Sequence, residues 1–495
     1  MVDQGNDALV ESHFTIEYTG GINIKESVYK WVVLATVSIA NFSAALDMSI
    51  IVVSFPRLVK VFDTDASTVV WLTIAFSVAE LGLLLSLAKV GDTIGRKKVY
   101  TIGLLLYTLG LVFCSVSINI EQLIMSRIVQ GAGAAMTMTI GGAIVIAVFS
   151  REQQGRALGI FSMMVSAGLI AGPALGGFIL DTLDWQGIFY TRIPIGIISI
   201  ILAWIIIREQ KEEGTPLRLD IGGAVTLLGG TGCLLLYLNL GSDWAYVSTK
   251  SVPLAVAAVI FIGLFIHIEG RAPQPVLDLR LFRNRVFSMA NATNIIQMTT
   301  GVTVPTLIPF FLINGLLQSP SRVGILMALI AMPPVIIGPI SGWLSDKVGN
   351  RLPMIVAMCI MSSSLFLTSR LGMDSSVLHI AIVLLMFGFG MGIFTAPNQS
   401  AIVGAAPRRN LATAMGVANS MRLLGSSIGT AGAGALYTGR QLLNRTRLAE
   451  QGMDSELISR LAVVESFRFI LLLAGLLSLA SILTALFTGG EQSKT

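Results

Sequence analysis

Residues 168–177 read GLIAGPALGG, four glycines and a proline in a stretch otherwise apolar enough for a buried helix. In a helix interior glycine costs about 1 and proline about 3 kcal/mol relative to alanine, so their presence needs a reason beyond propensity. Gly168, Gly172 and Gly176 recur every four residues, which puts them on one stripe of a helix and admits a neighbouring backbone. Pro173 removes the hydrogen bond to the carbonyl of Leu169 and permits a bend. Close, kinked packing of this kind belongs to helix pairs in a bilayer.

The rest of the chain agrees. Of its 495 residues 54% are hydrophobic and 12% charged, about half the charged share of roughly 25% in a soluble domain. Apolar runs of about 20 residues cross a bilayer as helices. Fourteen fit, at 31–54, 69–90, 99–118, 122–148, 157–180, 187–207, 220–240, 252–269, 287–315, 323–345, 352–370, 377–398, 411–437 and 466–486. The fold class expected is therefore an all-α integral membrane protein. The polar first thirty residues lack the apolar core of a signal peptide and read as a cytosolic tail. Cys114, Cys233 and Cys359 lie apart in apolar segments, with no metal-type or paired spacing.

The basic residues set an orientation. With a cytosolic N-terminus, the inside loops hold Arg96, Lys97, Lys98, Arg151, Arg156, Arg208, Lys211, Arg351, Arg408 and Arg409, among others, and the outside loops hold few. Both termini are then cytosolic, and the net charge of +5 needs no nucleic-acid partner. The segment 438–465 reads as the one sizeable outside loop, and PVLDLRLFRNRVF (275–287) as an interfacial helix.

The chain also repeats itself. GDTIGRKK (91–98) follows the second span and SDKVGNR (345–351) the tenth, sharing Asp92/Gly95 and Asp346/Gly349. Repeated helical blocks point to a transporter with its substrate site between the halves. The resulting division is a tail at 1–30, a six-helix bundle at 31–207, a linker at 208–286 with two extra spans, a second six-helix bundle at 287–486, and a tail at 487–495.

Ionisable residues within spans cost at least about 2.5–3.5 kcal/mol each and are functional candidates by default. They are Asp47, Glu80, Arg127, Arg192 and Arg422. At about 1.5 Å per residue, Asp47 stands about 24 Å above the cytosolic edge and Arg127 about 9 Å below the outer one, at similar heights. Glu80, about 18 Å above Asp92, is nearer the middle. A carboxyl that moves between a dry cavity and the neighbourhood of an arginine changes its proton occupancy. Asp47 is the expected proton carrier, Arg127 its modulator, and Glu80 a second carrier or cation recogniser.

LDMSIIVVSFP (46–56), GDTIGRKK, RIVQGAG (127–133) and the glycine run with Gly159 together resemble the major facilitator superfamily, and within it the fourteen-helix drug:proton antiporters. The resemblance implies two six-helix bundles plus two linker helices. It implies proton-coupled export of small amphipathic, cationic or neutral compounds by alternating access, and ties the acid at Asp47 and the arginine at Arg127 to proton coupling. It makes Asp92, Gly95 and Arg96, with Asp346 and Gly349, a conformational latch. Gly168, Gly172, Pro173, Gly176 and Gly177 become a gating helix, with GILMALIAMPPVIIGPISG (324–342) opposite as a bendable seam between the halves.

The chain departs from the family pattern at Ala88, Thr93, Val52 and Gly187, and at Arg192, where an asparagine is usual. Phe76, Gln130, Arg192, Asn291, Asn294, Gln297, Asn398 and Arg422 are the candidate cavity residues. Alternative readings are an exporter of an anionic amphiphile or lipid, and a transport-inactive sensor. An enzyme is disfavoured: His13, His267 and His379 form no H-E-x-x-H, and no nucleophile elbow or phosphate loop is present. The expected setting is the plasma (inner) membrane, as a monomer driven by the proton gradient with no cofactor or metal; no periplasmic adaptor is specified.

Overall fold

The computed structural model describes residues 26–149, 151–209, 221–244, 248–271, 279–406, 411–450 and 453–488. Within these residues the regular elements are helices: α1 (Glu26–Val61), α2 (Ala66–Val69), α3 (Trp71–Ile94), α4 (Arg96–Ser115), α5 (Ile120–Val148), α6 (Arg151–Tyr190) and α7 (Ile193–Ile206). There follow α8 (Ile221–Trp244), α9 (Val252–Arg271), α10 (Arg285–Gly301), α11 (Thr303–Phe310), α12 (Pro320–Val348), α13 (Arg351–Thr368), α14 (Val377–Gly404), α15 (Leu411–Ala449) and α16 (Ser455–Ala485).

Ten helical stretches among the described residues are long and apolar enough to cross a membrane. One of them, Met163–Ile206, is two passes, because Asp184 (φ 60, ψ −173) breaks α6 near its end. Helices α3, α8 and α15 coincide with the remaining expected spans at 69–90, 220–240 and 411–437. The break is pinned from α1: Arg57 Nε and Nη2 donate to Asp184 Oδ1 and Oδ2 at 2.9 and 2.7 Å, and the Trp185 amide donates to Oδ1 at 2.7 Å. Those hydrogen bonds, the Arg57 pair first, hold the Asp184 carboxyl below its ordinary range.

Because both partners are well exposed, at 48% and 41%, Arg57→Ala is expected to cost no more than about 1 kcal/mol. The carboxyl is depressed in the folded state, so this stability is present above about pH 3.9 and fades as pH falls through the lower folded value. Thermal unfolding of both proteins across that interval checks it: the gap between them narrows on acidification.

Two departures from the expected layout are clear. Segment 438–465 is not a loop, since α15 runs to Ala449 and α16 starts at Ser455. These extensions hold each other: Arg440 lies over Phe469 at 4.4 Å, Asn444 Nδ2 donates to Ser466 Oγ at 3.2 Å, and Arg447 pairs with Glu465. The interfacial helix expected at 275–287 is, where described, only a 3-10 turn at Leu279–Arg283. Asn284 then caps α10, its Oδ1 accepting from the Val286 amide at 2.9 Å.

The glycine run is divided between two neighbours. A Cβ at Gly168, Gly172 or Gly176 would strike α1 at Phe42, Leu46, Ser49 or Ile50. The four-residue stripe therefore seals α6 to α1 within the first half, a correction to its expected place on the seam. The contact between halves uses the adjoining face, where Gly177 meets Pro320 and Ser321, and Gly324 of α12 meets Pro173 and Ala174. At the same end Asp181 accepts a hydrogen bond from the Ser321 amide at 3.0 Å and another from its hydroxyl.

The cores show how the halves are closed. One apolar cluster runs through both halves at the end remote from the termini, joining Ile50, Phe55, Val70 and Leu72 to Leu307, Phe310, Val323 and Tyr437. Phe310 lies 6.4 Å from Phe55 and 5.3 Å from Tyr437. Toward the termini the buried apolar residues form two separate clusters, one around Val33, Tyr100 and Ile144, the other around Phe287, Met358 and Ile402. The linker helix α8 packs on α3 of the first half and α15 of the second.

Candidate functional site

Three helices of the first half converge on Asp47, which is fully buried. Arg127 of α5 gives Nη1 to Asp47 Oδ2 at 2.5 Å, and Arg192, the residue before α7, pairs with Oδ1. Arg127 is further held by Nε to the Leu72 carbonyl at 2.9 Å, by Nη1 to Gln130 Oε1 at 2.7 Å, and by the Phe76 ring 4.4 Å beneath it. Arg192 Nε donates to the Ile188 carbonyl at 2.8 Å. Arg127 and Arg192 are 1% and 3% exposed, so the group carries two cations and one anion in a dry interior.

This corrects the sequence reading in one respect. Arg192 was expected to line a cavity, and it is instead the second cation on Asp47. Phe76 and Gln130 are likewise built into the Arg127 setting.

Glu80 of α3 lies elsewhere. It is 2% exposed, its Oε2 has no hydrogen-bond partner among the described residues, and the charge acting on it is Arg422 of α15, in the opposite half. Val70 packs where Gly434 lies, which fixes the register of α3 against α15. From that contact Glu80 is ten residues along α3, about 15 Å, and Arg422 twelve along α15, about 18 Å. Opposite charges from the two halves thus stand at one depth, without a salt bridge between them within bonding distance among the described residues.

The remaining candidates are distributed within the second half. Gln297 Nε2 donates to Ser481 Oγ at 2.8 Å and Ser478 Oγ at 3.4 Å, tying α10 to α16 rather than facing the first half. Asn294 Nδ2 donates to the Ala418 carbonyl at 3.0 Å, and Asn291 Nδ2 to Phe287 of its own helix at 2.9 Å. Asn398 is 3% exposed and its Oδ1 has no partner among the described residues.

At the repeated turns Gly95 (φ 117) and Gly349 (φ 80) adopt the left-handed conformation their motif anticipates. The side chains of Asp92 and Asp346 lie outside the described residues. What meets the start of α4 is Glu209, which accepts from the Lys97 amide at 3.2 Å and which the sequence reading passed over. It also passed over Glu269, a 3% exposed acid at the end of α9; an acid closing an apolar run was the available signal.

A charge-bearing helical bundle of two packed halves defines a multi-pass membrane transporter. The chain belongs to the Major Facilitator Superfamily, whose family description it matches over residues 37–430 and 289–494. It is 32% identical over 403 residues to the riboflavin transporter RibZ of Clostridioides difficile, covering 81% of this chain and 87% of that protein. It is 28% identical to the multidrug transporter protein MdtP of Bacillus subtilis (81% and 74% covered) and 24% to the tetracenomycin C resistance and export protein of Streptomyces glaucescens (83% and 76%). Among solved structures, a bacterial homologue of the human lysosomal transporter Spinster superposes with a TM-score of 0.69 at 14% identity, covering 94% of this chain and 99% of the other.

Proposed function

We propose that this transporter is a proton-coupled antiporter exporting small amphipathic compounds across the plasma membrane, with both termini cytosolic. One observation carries the coupling: Glu80, buried on the first half, has an Oε2 without a hydrogen-bond partner among the described residues and stands, by residue counting, at the depth of Arg422 on the second. A carboxyl so placed exchanges a proton for a cationic or neutral cargo when the halves move apart. Asp47, clamped between Arg127 and Arg192, holds α1, α5 and α7 together and shapes the field in which Glu80 works. Coupling thereby shifts from Asp47, the first choice on sequence, toward Glu80. The multidrug transporter MdtP and the tetracenomycin C resistance and export protein, both similar to this chain, support drug-like cargo, and the second supports outward transport.

Arg422, only partly buried, favours one second reading, an anionic or electronegative cargo. Efflux from inside-out vesicles of a cationic, a neutral and an anionic amphiphile, with and without a proton gradient, separates the two. Glu80→Gln is expected to lower gradient-driven transport at least tenfold while leaving gradient-independent exchange. Full coupling in that variant removes Glu80 from the mechanism, and loss confined to the anionic compound in Arg422→Gln selects the second reading.

A further inference from the structure

We infer that the cytosolic end of the second half carries a binding site for an anionic phospholipid, whose phosphate sits against Arg283 and Arg285 and whose acyl chains run along α16. The 3-10 turn Leu279–Arg283 is a fixed platform, pinned on its inner side. Leu281 is 6% exposed in the apolar core, the Phe282 carbonyl accepts from the Ser288 hydroxyl, and Asn284 Nδ2 donates to the Ala405 carbonyl at 3.0 Å. The outer side presents Arg280, Arg283 and Arg285, all exposed, within six residues. No salt bridge of Arg283 or Arg285 is found among the described residues. Both stand at the start of α10, where the helix dipole adds positive charge of its own and disfavours cations. A fixed cluster of this sign is complementary to an anionic headgroup.

What makes the anion a lipid lies beside this cluster. The Arg285 guanidinium is over the Phe487 ring at 4.4 Å, and Phe487, just past the end of α16, is itself 47% exposed. Below it Leu483, Leu479 and Leu476 are 63%, 46% and 50% exposed, and their spacing of three and four residues puts them with Phe487 on one stripe of the helix. Cation–aromatic pairs recur at this end of the molecule, Lys97 with Trp204 and Lys347 with Trp343, and mark the headgroup level, where such side chains sit. Arg285 thus stands at the height of a phosphate and the leucine stripe at the depth of its chains. A free phosphate would use only the arginines; a phospholipid uses both features. The guanidinium fork also matches phosphate oxygens in pairs. The choice of leaflet rests on the orientation proposed above; the site itself does not.

The test uses the purified full-length protein in nanodiscs, whose two leaflets share one composition, so that orientation, cargo and proton coupling do not enter. Leu483→Trp supplies a reporter on the stripe. The phosphatidylcholine discs carry a low, equal fraction of chain-brominated phosphatidylglycerol or chain-brominated phosphatidylcholine. The extra fluorescence of the variant over the parent is expected to be quenched about twofold more by the phosphatidylglycerol. Arg283→Gln/Arg285→Gln in the Leu483→Trp background is expected to lose that excess, and Arg283→Lys/Arg285→Lys to keep part of it. Ile201→Trp, 51% exposed on α7 of the first half, is expected to show a smaller excess, which keeps the test decisive should the arginine variants fail to fold. Equal quenching by the two lipids at Leu483→Trp, or an excess untouched by the glutamine pair, overturns the site. So does an excess just as large at Ile201→Trp, which shows only general attraction to a basic face, or one abolished by inorganic phosphate at constant ionic strength, which shows a site for free phosphate.

Discussion

Asp47→Asn is expected to destabilise the folded transporter by about 3–5 kcal/mol, the range found when one partner of a buried ion pair is removed. The reason is specific to this site. The change keeps the shape of the side chain but deletes its charge and turns one acceptor into a donor that cannot bond a guanidinium, leaving Arg127 and Arg192 facing each other at 1% and 3% exposure. Thermal unfolding in detergent measures the loss. The double variant Asp47→Asn/Arg192→Gln, with a single guanidinium remaining, is expected to recover part of it, since contacting residues are energetically coupled. An Asp47→Asn protein as stable as the parent would contradict the clamp, and loss of gradient-driven transport by such a protein would return Asp47 to the role of proton carrier.

Gly324→Leu is expected to reduce transport more than tenfold while leaving the protein folded. A Cβ at this position would come within 2.9 Å of the Pro173 carbonyl carbon and 3.1 Å of the Ala174 Cα. Both are main-chain atoms of α6, which cannot swing aside as a side chain can, so the closed end of the seam cannot form. Each half keeps its own core at the opposite end, which is why folding survives. The readout is labelling of a cysteine placed at Phe310, 1% exposed in the closed arrangement. Membrane-impermeant reagent added outside is expected to reach it in Gly324→Leu and not in the parent background. Normal transport together with a protected Phe310→Cys would show that the α6–α12 contact does not control closure.

The helical membrane fold was legible because long apolar runs leave no alternative to helices in lipid. The ends of α15 and α16 were not, since Arg440, Asn444 and Arg447 look like loop residues until their partners Phe469, Ser466 and Glu465 are placed beside them. Depth counting along single helices put Asp47 and Arg127 at one level, and they bond. It could not bring in Arg192, 145 residues from Asp47 in the chain, because counting gives height but no azimuth. The glycine stripe failed for the same reason: a spacing of four defines a face, and which helix that face meets depends on how α1 and α12 pack around α6. Glu209 and Glu269 lay beyond or at the end of apolar spans, where a search for charges inside the membrane stops looking.

The position of α1 has a mechanical consequence. On one side its backbone is meshed with the small-residue face of α6; on the other its aspartate is bolted to arginines from α5 and α7. A helix gripped from both flanks has no freedom to twist or slide alone. Whatever force cargo or protons exert near it is passed to its whole six-helix block, which pivots as one stiff lever, leaving the compliant parts of the machine at the boundary with the other block.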